Sequence, residues 1–230
     1  MNIVIVTQKP IQVLNLIYLL GGIDVFPSAI IAVKPGNVST DHGLIDEYTD
    51  SISALKLQCN ILAIPLHIVE KVSSDETINL LMSLKIDLIL SLVDEILKEN
   101  FIKTSIHGVV SAHGGILPNY RGVDCISWSI LNNDDHRVGI TAQLIDTGVD
   151  TGEIIDTQTI NLSSVKPCTL NELHRKIFYK CKLFSFVRAV EMLVNNGNIN
   201  SKKQNILEGK QYFSMHHRLR EIVEKKLNII

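Results

Sequence analysis

Residues 2–33 are NIVIVTQKPIQVLNLIYLLGGIDVFPSAIIAV, and this stretch decides the fold class. It opens with a run at Asn2–Val6 that is rich in β-branched residues and suits a strand buried on both faces. Apolar residues then recur at helical spacing over Ile11–Leu20, until a Gly-Gly pair ends the pattern. A second apolar run at Ser28–Val33 predicts another strand. A strand, a helix and a strand in this order predict two parallel strands of one sheet.

The same alternation continues as far as Ser111. Further strands are predicted at Ile61–Ile64, Asp87–Leu92 and Val109–Ser111, and helices at His42–Cys59, Ser74–Leu84 and Glu95–Ile102. This order predicts an α/β fold in which helices cover both faces of a parallel sheet. In such sheets ligands bind beyond the carboxyl ends of the strands, so we expect a site from Ser111 onward.

The second half of the chain has a different pattern. We predict a helix at Val123–Leu131, strands at Val138–Ile145, Glu153–Ile160 and Gln211–Phe213, and helices at Leu170–Leu193 and His217–Lys226. Thr169 and Glu172 have the spacing of a capping box, which marks the start of the long helix. We therefore expect a catalytic domain over residues 1–165 and a small, mostly helical extension over residues 166–230, packed on that domain.

Composition and charge exclude several classes of function. Of the 230 residues, 46% are hydrophobic and 20% are charged, and the formal net charge is −2. No global field recruits nucleic acid or an anionic membrane, so neither is expected as a partner. The apolar run Met1–Thr7 is too short for a signal peptide or a membrane span, which predicts a cytoplasmic protein. The four cysteines are widely spaced, so we expect neither a disulfide nor a metal site.

The first candidate site is Ser111–Gly122, SAHGGILPNYRG. His113 follows a predicted strand and precedes two glycines, which let a ligand or another backbone approach closely. A histidine at a strand end is equally often a hydrogen-bonded structural residue. This segment alone does not separate the two interpretations.

The second candidate site is the loop Asp146–Gly152, which carries two aspartates between two predicted strands. It lacks the alternating oxygen ligands and the terminal glutamate of a calcium loop, so an ordinary turn is the main alternative. If the strands before the two loops are neighbours, His113 and Asp150 meet at one end of the sheet. A carboxylate beside a histidine orients the ring and raises its pKa, which suits proton transfer near neutral pH.

Three stretches in this order carry a specific resemblance. They are HGGILPNYRG at 113–122, WSILNND at 128–134 and GITAQLIDTGVDTGEII at 139–155. Together they resemble the active-site region of the folate-dependent formyltransferases, and weaker similarity extends back over about the first 160 residues. The family includes formyltransferases acting on methionyl-tRNA, on glycinamide ribonucleotide and on nucleotide-linked amino sugars. The resemblance implies a Rossmann-like formyltransferase domain.

The resemblance also implies a reaction, in which a primary amine takes the formyl group of N10-formyltetrahydrofolate, a co-substrate. The family's histidine falls on His113, which is expected to stabilise the oxyanion and carry a proton. Its aspartate falls on Asp150, which is expected to hold and charge that histidine, and Asp146 is expected to be structural. The residues implied for the folate pocket, most of which an ordinary core would also need, are Leu90, Val93, Ile96, Leu97, Ile102, Thr147, Gly148 and Val149.

Ser111 departs from the family pattern, which usually has Asn two residues before the histidine. The resemblance implies that this Asn donates a hydrogen bond to the oxyanion, and losing one such donor costs about 10²–10³ in rate. A serine hydroxyl also donates, but it is shorter. Ser111 is therefore expected to act as an imperfect catalytic substitute, and the alternative is a weakened binding homologue.

The acceptor is predicted by comparing the subfamilies. The sequence has no basic excess for tRNA and no room for a tRNA-binding domain after Ile160. The loop Thr7–Gln12 lacks the glycines that hold the phosphate of glycinamide ribonucleotide. The expected acceptor is a small-molecule amine on a nucleotide-linked amino sugar, touched by Asn119, Tyr120 and Arg121; a glycinamide ribonucleotide formyltransferase is the alternative. Residues 202–230 suit either a homodimer contact or a solvated tail.

Overall fold

The computed structural model describes residues 1–35, 42–165 and 167–229 of the chain. The chain divides into two compact units, Met1–Ser111 and Ala112–Ile230. Strand β5, Val109–His113, begins in the first unit and ends in the second. The boundary predicted at residue 165 stays a prediction.

The first unit is built on a parallel sheet. Its elements are β1 (Ile3–Thr7), α1 (Pro10–Gly21), β2 (Ala29–Val33), α2 (His42–Leu62), β3 (Leu66–Val69), α3 (Asp75–Ser83), β4 (Leu88–Leu92), α4 (Glu99–Ile102) and the start of β5. The strand order is β3-β2-β1-β4-β5, and every adjacent pair is parallel. All residues of β1, β2 and β4 are buried, as continuous apolar runs in a helix-covered sheet require. The prediction of an α/β fold with a parallel sheet is confirmed.

Two boundaries in the first unit correct the sequence predictions. The strand predicted at Ile61–Ile64 is wrong, because α2 runs to Leu62 and the strand is β3. Ala63 then has a positive φ of 53°, and the Ile64 N–H donates to the Cys59 carbonyl, which closes the helix. A short apolar run does not distinguish a helix end from a strand. The helix predicted at Glu95–Ile102 begins only at Glu99.

The second unit combines an antiparallel pair of strands with helices. Its elements are the end of β5, β6 (Tyr120–Gly122), α5 (Cys125–Leu131), β7 (Gly139–Leu144), β8 (Ile154–Thr159), α6 (Leu170–Leu173), α7 (Tyr179–Asn196), β9 (Lys210–Tyr212) and α8 (His217–Ile229). β7 lies next to β5 in the sheet order and pairs antiparallel with β8. β6 pairs parallel with β9 in a separate two-stranded sheet. α7 packs on β7, and α8 packs on α5.

The long helix predicted from Leu170 starts where the sequence places it. The Thr169 hydroxyl accepts a hydrogen bond from the Glu172 N–H at 3.1 Å, and a Glu172 carboxylate oxygen accepts one from the Thr169 N–H at 3.0 Å. This reciprocal pair is the predicted capping box. One wide turn at His174–Phe178 separates α6 from α7, which then ends at Asn196 before Gly197.

The described part of the chain has neither a membrane-spanning helix nor a cluster of metal ligands. Among these residues, no helix is both long and apolar enough to cross a lipid bilayer. The same residues contain no group of three or more histidine, cysteine or acidic side chains arranged to hold a metal ion.

Replacing the capping hydroxyl tests how the second unit is stabilised. We expect Thr169→Ala to lower the free energy of unfolding by about 1 kcal/mol, because the Glu172 N–H loses its acceptor. Urea unfolding measures this, and Thr169→Ser, which keeps the hydroxyl, is the matched control. Equal losses in the two variants would show that the hydroxyl is not the stabilising group.

Candidate active site

His113 is the last residue of β5 and is buried, with 9% of its surface exposed. A neighbouring glycine makes room for its ring. A Cβ atom on Gly115 would lie 2.7 Å from His113 Nε2 and 2.9 Å from the Tyr120 carbonyl oxygen. Only a residue without a side chain lets the loop pass this close to the imidazole, as the two glycines predict.

Both ring nitrogens of His113 face hydrogen-bond acceptors. Nε2 lies 2.8 Å from the carbonyl oxygen of Tyr120, which can only accept, so Nε2 carries a proton. Nδ1 lies 3.3 Å from Oδ2 of Asp150. A neutral ring can donate to only one of these partners, whereas a protonated ring donates to both. The surroundings therefore match the hydrogen-bonding pattern of the imidazolium.

Burial acts against that charge. Desolvation lowers the pKa of His113 below its ordinary value, and it outweighs the Asp150 carboxylate and the Tyr120 carbonyl, which both raise the pKa. The positive charge of Lys182 lowers the pKa of His113 further. Burial thus favours the neutral ring, while the groups that would stabilise its cation are already in place.

Asp150 is held from several directions. Its Oδ2 accepts a hydrogen bond from the Gly122 N–H at 2.9 Å in addition to facing His113. Its Oδ1 accepts a 2.7 Å bond from Nε2 of Gln143, a buried residue of β7. Asp150 itself has a positive φ of 52°, a conformation that non-glycine residues rarely adopt. The carboxylate is fixed in place by groups from three segments of the second unit.

The Tyr120–Gly122 strand supports both members of the pair, because Tyr120 contacts His113 and Gly122 contacts Asp150. β9 holds this strand by parallel pairing, and the ring of Tyr212 stacks on that of Tyr120 at 5.0 Å. Gly122 has a φ of 99°, and a Cβ atom there would lie 2.1 Å from the Tyr212 carbonyl oxygen. Any side chain at residue 122 would separate the two strands.

A model of the family "Formyl transferase" matches residues 65–178, which include His113, Gln143 and Asp150. This region of the chain belongs to the formyl transferase family. The prediction from the three sequence stretches is confirmed.

Relatives in this family differ in their acceptors. The methionyl-tRNA formyltransferase of Acetivibrio thermocellus is 33% identical over 108 residues, which are 46% of this chain and 34% of that protein. The aligned part thus spans about a third of that relative's length.

Solved structures of formyltransferases share the fold. An N-formyltransferase from Helicobacter canadensis, in complex with folinic acid and dTDP-3-aminofucose, has a TM-score of 0.62 at 20% identity; the match covers 93% of this chain and 71% of that one. Phosphoribosylglycinamide formyltransferase from Bacillus halodurans also has a TM-score of 0.62, at 16% identity, over 86% of this chain and 97% of that one. At these identities the likeness shows the fold alone.

The residues predicted for the folate pocket have different environments. In the first unit, Leu90 and Leu97 are core residues with 0% and 2% of their surfaces exposed, whereas Ile96 is 68% exposed. Val93 and Ile102 are half-buried. The pocket assignment stays a prediction, and Val93, Ile96 and Ile102 are the first-unit members whose side chains are accessible.

The two aspartates of the Asp146–Gly152 loop have different partners: Asp150 faces His113, whereas Asp146 bonds within the loop. Asp146 accepts hydrogen bonds from the Gly148 N–H at 3.0 Å and from the Thr151 hydroxyl at 2.7 Å, so it shapes the turn as expected. The predicted folate-binding residues Thr147 and Gly148 are exposed, and Val149 is half-buried. Backbone groups at this turn are therefore accessible to a ligand.

Ser111 lies two residues before His113 on β5 and is half-buried. Residues two apart on a strand point to the same face of the sheet, so the two side chains share a face. In the register of the first unit, Ser111 pairs with Ser91 of β4. Its predicted catalytic role stays a prediction.

The three residues predicted to touch the acceptor have partners within the second unit. Asn119 Nδ2 donates to the Glu208 carbonyl at 3.2 Å, and an Arg121 guanidinium nitrogen donates to the Ile206 carbonyl at 2.9 Å. Tyr120 is buried, and its hydroxyl donates to Asp134 at 3.1 Å. Asn119 and Arg121 stay candidates for acceptor binding because they are half-buried. The Tyr120 carbonyl faces His113, and the contact of Tyr120 with the acceptor stays a prediction.

Sequence reasoning missed two glutamines that contact Asp150. Gln143 is one of two polar residues in the largely apolar strand β7, the other being Thr141, so its position gave a usable signal. Gln204 Nε2 donates to the carbonyl oxygens of Asp150 at 3.0 Å and of Gly152 at 2.6 Å. It lies more than fifty residues beyond the loop in a polar segment, where no local pattern marks it.

The pKa of His113 reports directly on the pair. We expect Asp150→Asn to lower the pKa of His113 further, because the carboxylate that favours the imidazolium is removed. An NMR titration of the histidine ring protons measures the shift, with His113→Gln used to assign the signal. Asp135→Asn, an exposed aspartate in the same unit, is the control. An unchanged His113 titration in Asp150→Asn would contradict the pairing.

Proposed function

We propose that this chain transfers the formyl group of N10-formyltetrahydrofolate to the primary amine of a nucleotide-linked amino sugar. The observation that carries the proposal is the buried His113–Asp150 pair, with Nδ1 3.3 Å from Oδ2, inside the region that the family model matches. A histidine oriented by a carboxylate is the usual arrangement for moving a proton during acyl transfer.

The co-substrate would supply a formyl group bonded to a nitrogen that can leave. Within the first unit, the accessible side chains of Val93, Ile96 and Ile102 are expected to bind it. Within the second unit, the backbone of Thr147–Val149 is expected to do so. Apolar side chains and free backbone groups are the usual lining of a pocket for a flat aromatic ring. The residues present therefore suit such a ligand.

His113 would act through Nε2, because Asp150 faces Nδ1. In the absence of substrate, Nε2 donates to the Tyr120 carbonyl, and an oxygen of the substrate would have to replace that acceptor. Burial favours the neutral form of the ring. With that acceptor displaced, the neutral ring would carry its one proton on Nδ1, which donates to Asp150, and Nε2 could accept the proton of the attacking amine as negative charge develops on the formyl oxygen. The imidazolium would then give a proton to N10 of the folate as the bond between N10 and the formyl carbon breaks. Asp150 would stabilise that cation.

Two observations favour an amino-sugar acceptor over glycinamide ribonucleotide. The loop after β1 has no glycine, and its one cation, Lys9, already pairs with Asp94 at 2.7 Å. A free phosphate would have to compete with that carboxylate. In addition, the N-formyltransferase from Helicobacter canadensis, whose bound ligand is dTDP-3-aminofucose, is similar over 93% of this chain. Glycinamide ribonucleotide transfer stays the second candidate, because the Bacillus halodurans enzyme has the same TM-score.

Formyl transfer to a panel of acceptors tests the proposal. We expect turnover of dTDP- or UDP-linked amino sugars, detected by mass spectrometry, and a fall in rate of about 10²–10⁴ in His113→Ala. His136→Ala, an exposed histidine, is the control. Turnover only with glycinamide ribonucleotide or methionyl-tRNA would refute the sugar assignment. Folate binding without turnover on any acceptor would favour a binding homologue.

The departure at Ser111 yields a separate prediction. If the missing carboxamide limits the rate, Ser111→Asn should raise kcat by about 10² or more, because it restores a longer donor. Ser111→Ala should retain turnover, because the short serine hydroxyl is expected to stabilise the oxyanion less than a carboxamide would, so that little is lost when it is removed. Ser53→Asn, at an exposed position of α2, is the control for the change itself. A kcat in Ser111→Asn at or below that of the unmodified protein would show that Ser111 is not limiting.

A further inference from the structure

We propose that Gln204, a residue outside the region matched by the family model, is a positioning residue for the catalytic aspartate Asp150. This inference rests on the proposed function for its kinetic consequences. The geometry that supports it lies entirely within the second unit.

The hydrogen bonds of Gln204 identify what it holds. Its Nε2 donates to two carbonyl oxygens of one loop, that of Asp150 at 3.0 Å and that of Gly152 at 2.6 Å. Carbonyl oxygens only accept, so the amide nitrogen must face them and the orientation of the side chain is determined. One side chain thus joins both ends of the three-residue turn that presents the aspartate.

The chain around Gln204 is itself fixed to this loop. Lys202 and Ile154 exchange two backbone hydrogen bonds, each 2.8 Å long. The Ser201 hydroxyl donates to the Glu153 carboxylate at 2.5 Å. Residues 201–204 therefore lie antiparallel to the end of the Asp150 loop, and Gln204 is the member of this segment that reaches Asp150.

Asp150 requires such support because its backbone is strained. A φ of 52° is unfavourable for a residue with a side chain and persists only where neighbouring groups determine it. A hydrogen bond to the Asp150 carbonyl, such as the one from Gln204, directly restrains the backbone in that conformation. Its carboxylate meanwhile must satisfy Gly122 at 2.9 Å, Gln143 at 2.7 Å and His113 at 3.3 Å. A rotation of the Asp150 backbone would move the carboxylate away from all three partners.

The following residues of the same segment support the other side of the pair. The Ile206 and Glu208 carbonyls accept from Arg121 and Asn119, and β9 pairs with β6. These contacts hold the strand whose Tyr120 carbonyl faces His113. The stretch 201–212 thus supports the aspartate through Gln204 and the histidine through β9.

The test compares Gln204→Met with Lys203→Met, which introduces the same side chain at the adjacent, exposed position. We expect Gln204→Met to lower kcat about 10- to 100-fold while KM for the folate changes less than about threefold, because misplacing a catalytic group affects turnover most. Lys203→Met should match the unmodified protein. Gln204→Met should also lower the pKa of His113 in an NMR titration, since the carboxylate that raises it moves away.

The isosteric variant Gln204→Glu distinguishes loss of the hydrogen bonds from a general loss of folding, which could also lower the activity of Gln204→Met. At neutral pH its carboxylate faces two carbonyl oxygens and cannot donate, whereas its protonated form can. The ratio of its kcat to that of the unmodified protein should therefore rise as the pH is lowered. A ratio independent of pH, or unchanged kcat and His113 pKa in Gln204→Met, would overturn the assignment.

Failure of the proposed function gives a different result. If the unmodified protein transfers no formyl group to any acceptor, the proposed function is wrong, but the His113 titration still tests Gln204. A lowered His113 pKa in Gln204→Met alone would then support the positioning role. A titration identical to that of Lys203→Met would refute it.

Discussion

The carboxylate of Asp150 is the group on which the rest of the site depends. One oxygen accepts from Gly122 and faces His113, and the other accepts from Gln143. The negative charge of Asp150 raises the pKa of His113 and so opposes the effect of burial, which lowers it. The histidine, its glycine neighbours and the β6 strand are arranged around this one anion.

The balance at His113 explains how a neutral ring can serve acyl transfer. Burial lowers the pKa of His113, while two acceptors stand ready for its cation. Negative charge developing on the substrate would add to that of Asp150 and favour the imidazolium, which is the condition of the reaction we propose. A role for Ser111 at the same developing charge stays a prediction.

The support of the site comes from parts of the chain that are far apart in sequence. Gly122 and Gln143 come from the region that the family model matches, whereas Gln204 and β9 lie beyond it. The segment after α7 is therefore part of the framework of the site as well as an extension. Gln204 therefore holds the backbone of the Asp150 loop, although it lies in a polar, irregular segment of the sequence that does not indicate this contact.

The sequence by itself determined the parallel sheet of the first unit and the capping box at Thr169, because these depend on local periodicity and on hydrogen bonds between residues close in the chain. It predicted the meeting of His113 with Asp150 only on the condition that the strands before them are neighbours, and the strand order of the sheet supplied that condition. It misassigned Ile61–Ile64, since a short apolar run suits either a helix end or a strand. Only the tertiary structure decided that Tyr120 contributes its carbonyl, and that Gln143 and Gln204 hold Asp150. Hydrogen bonds between distant segments depend on where the backbone brings them together, and no local pattern encodes that.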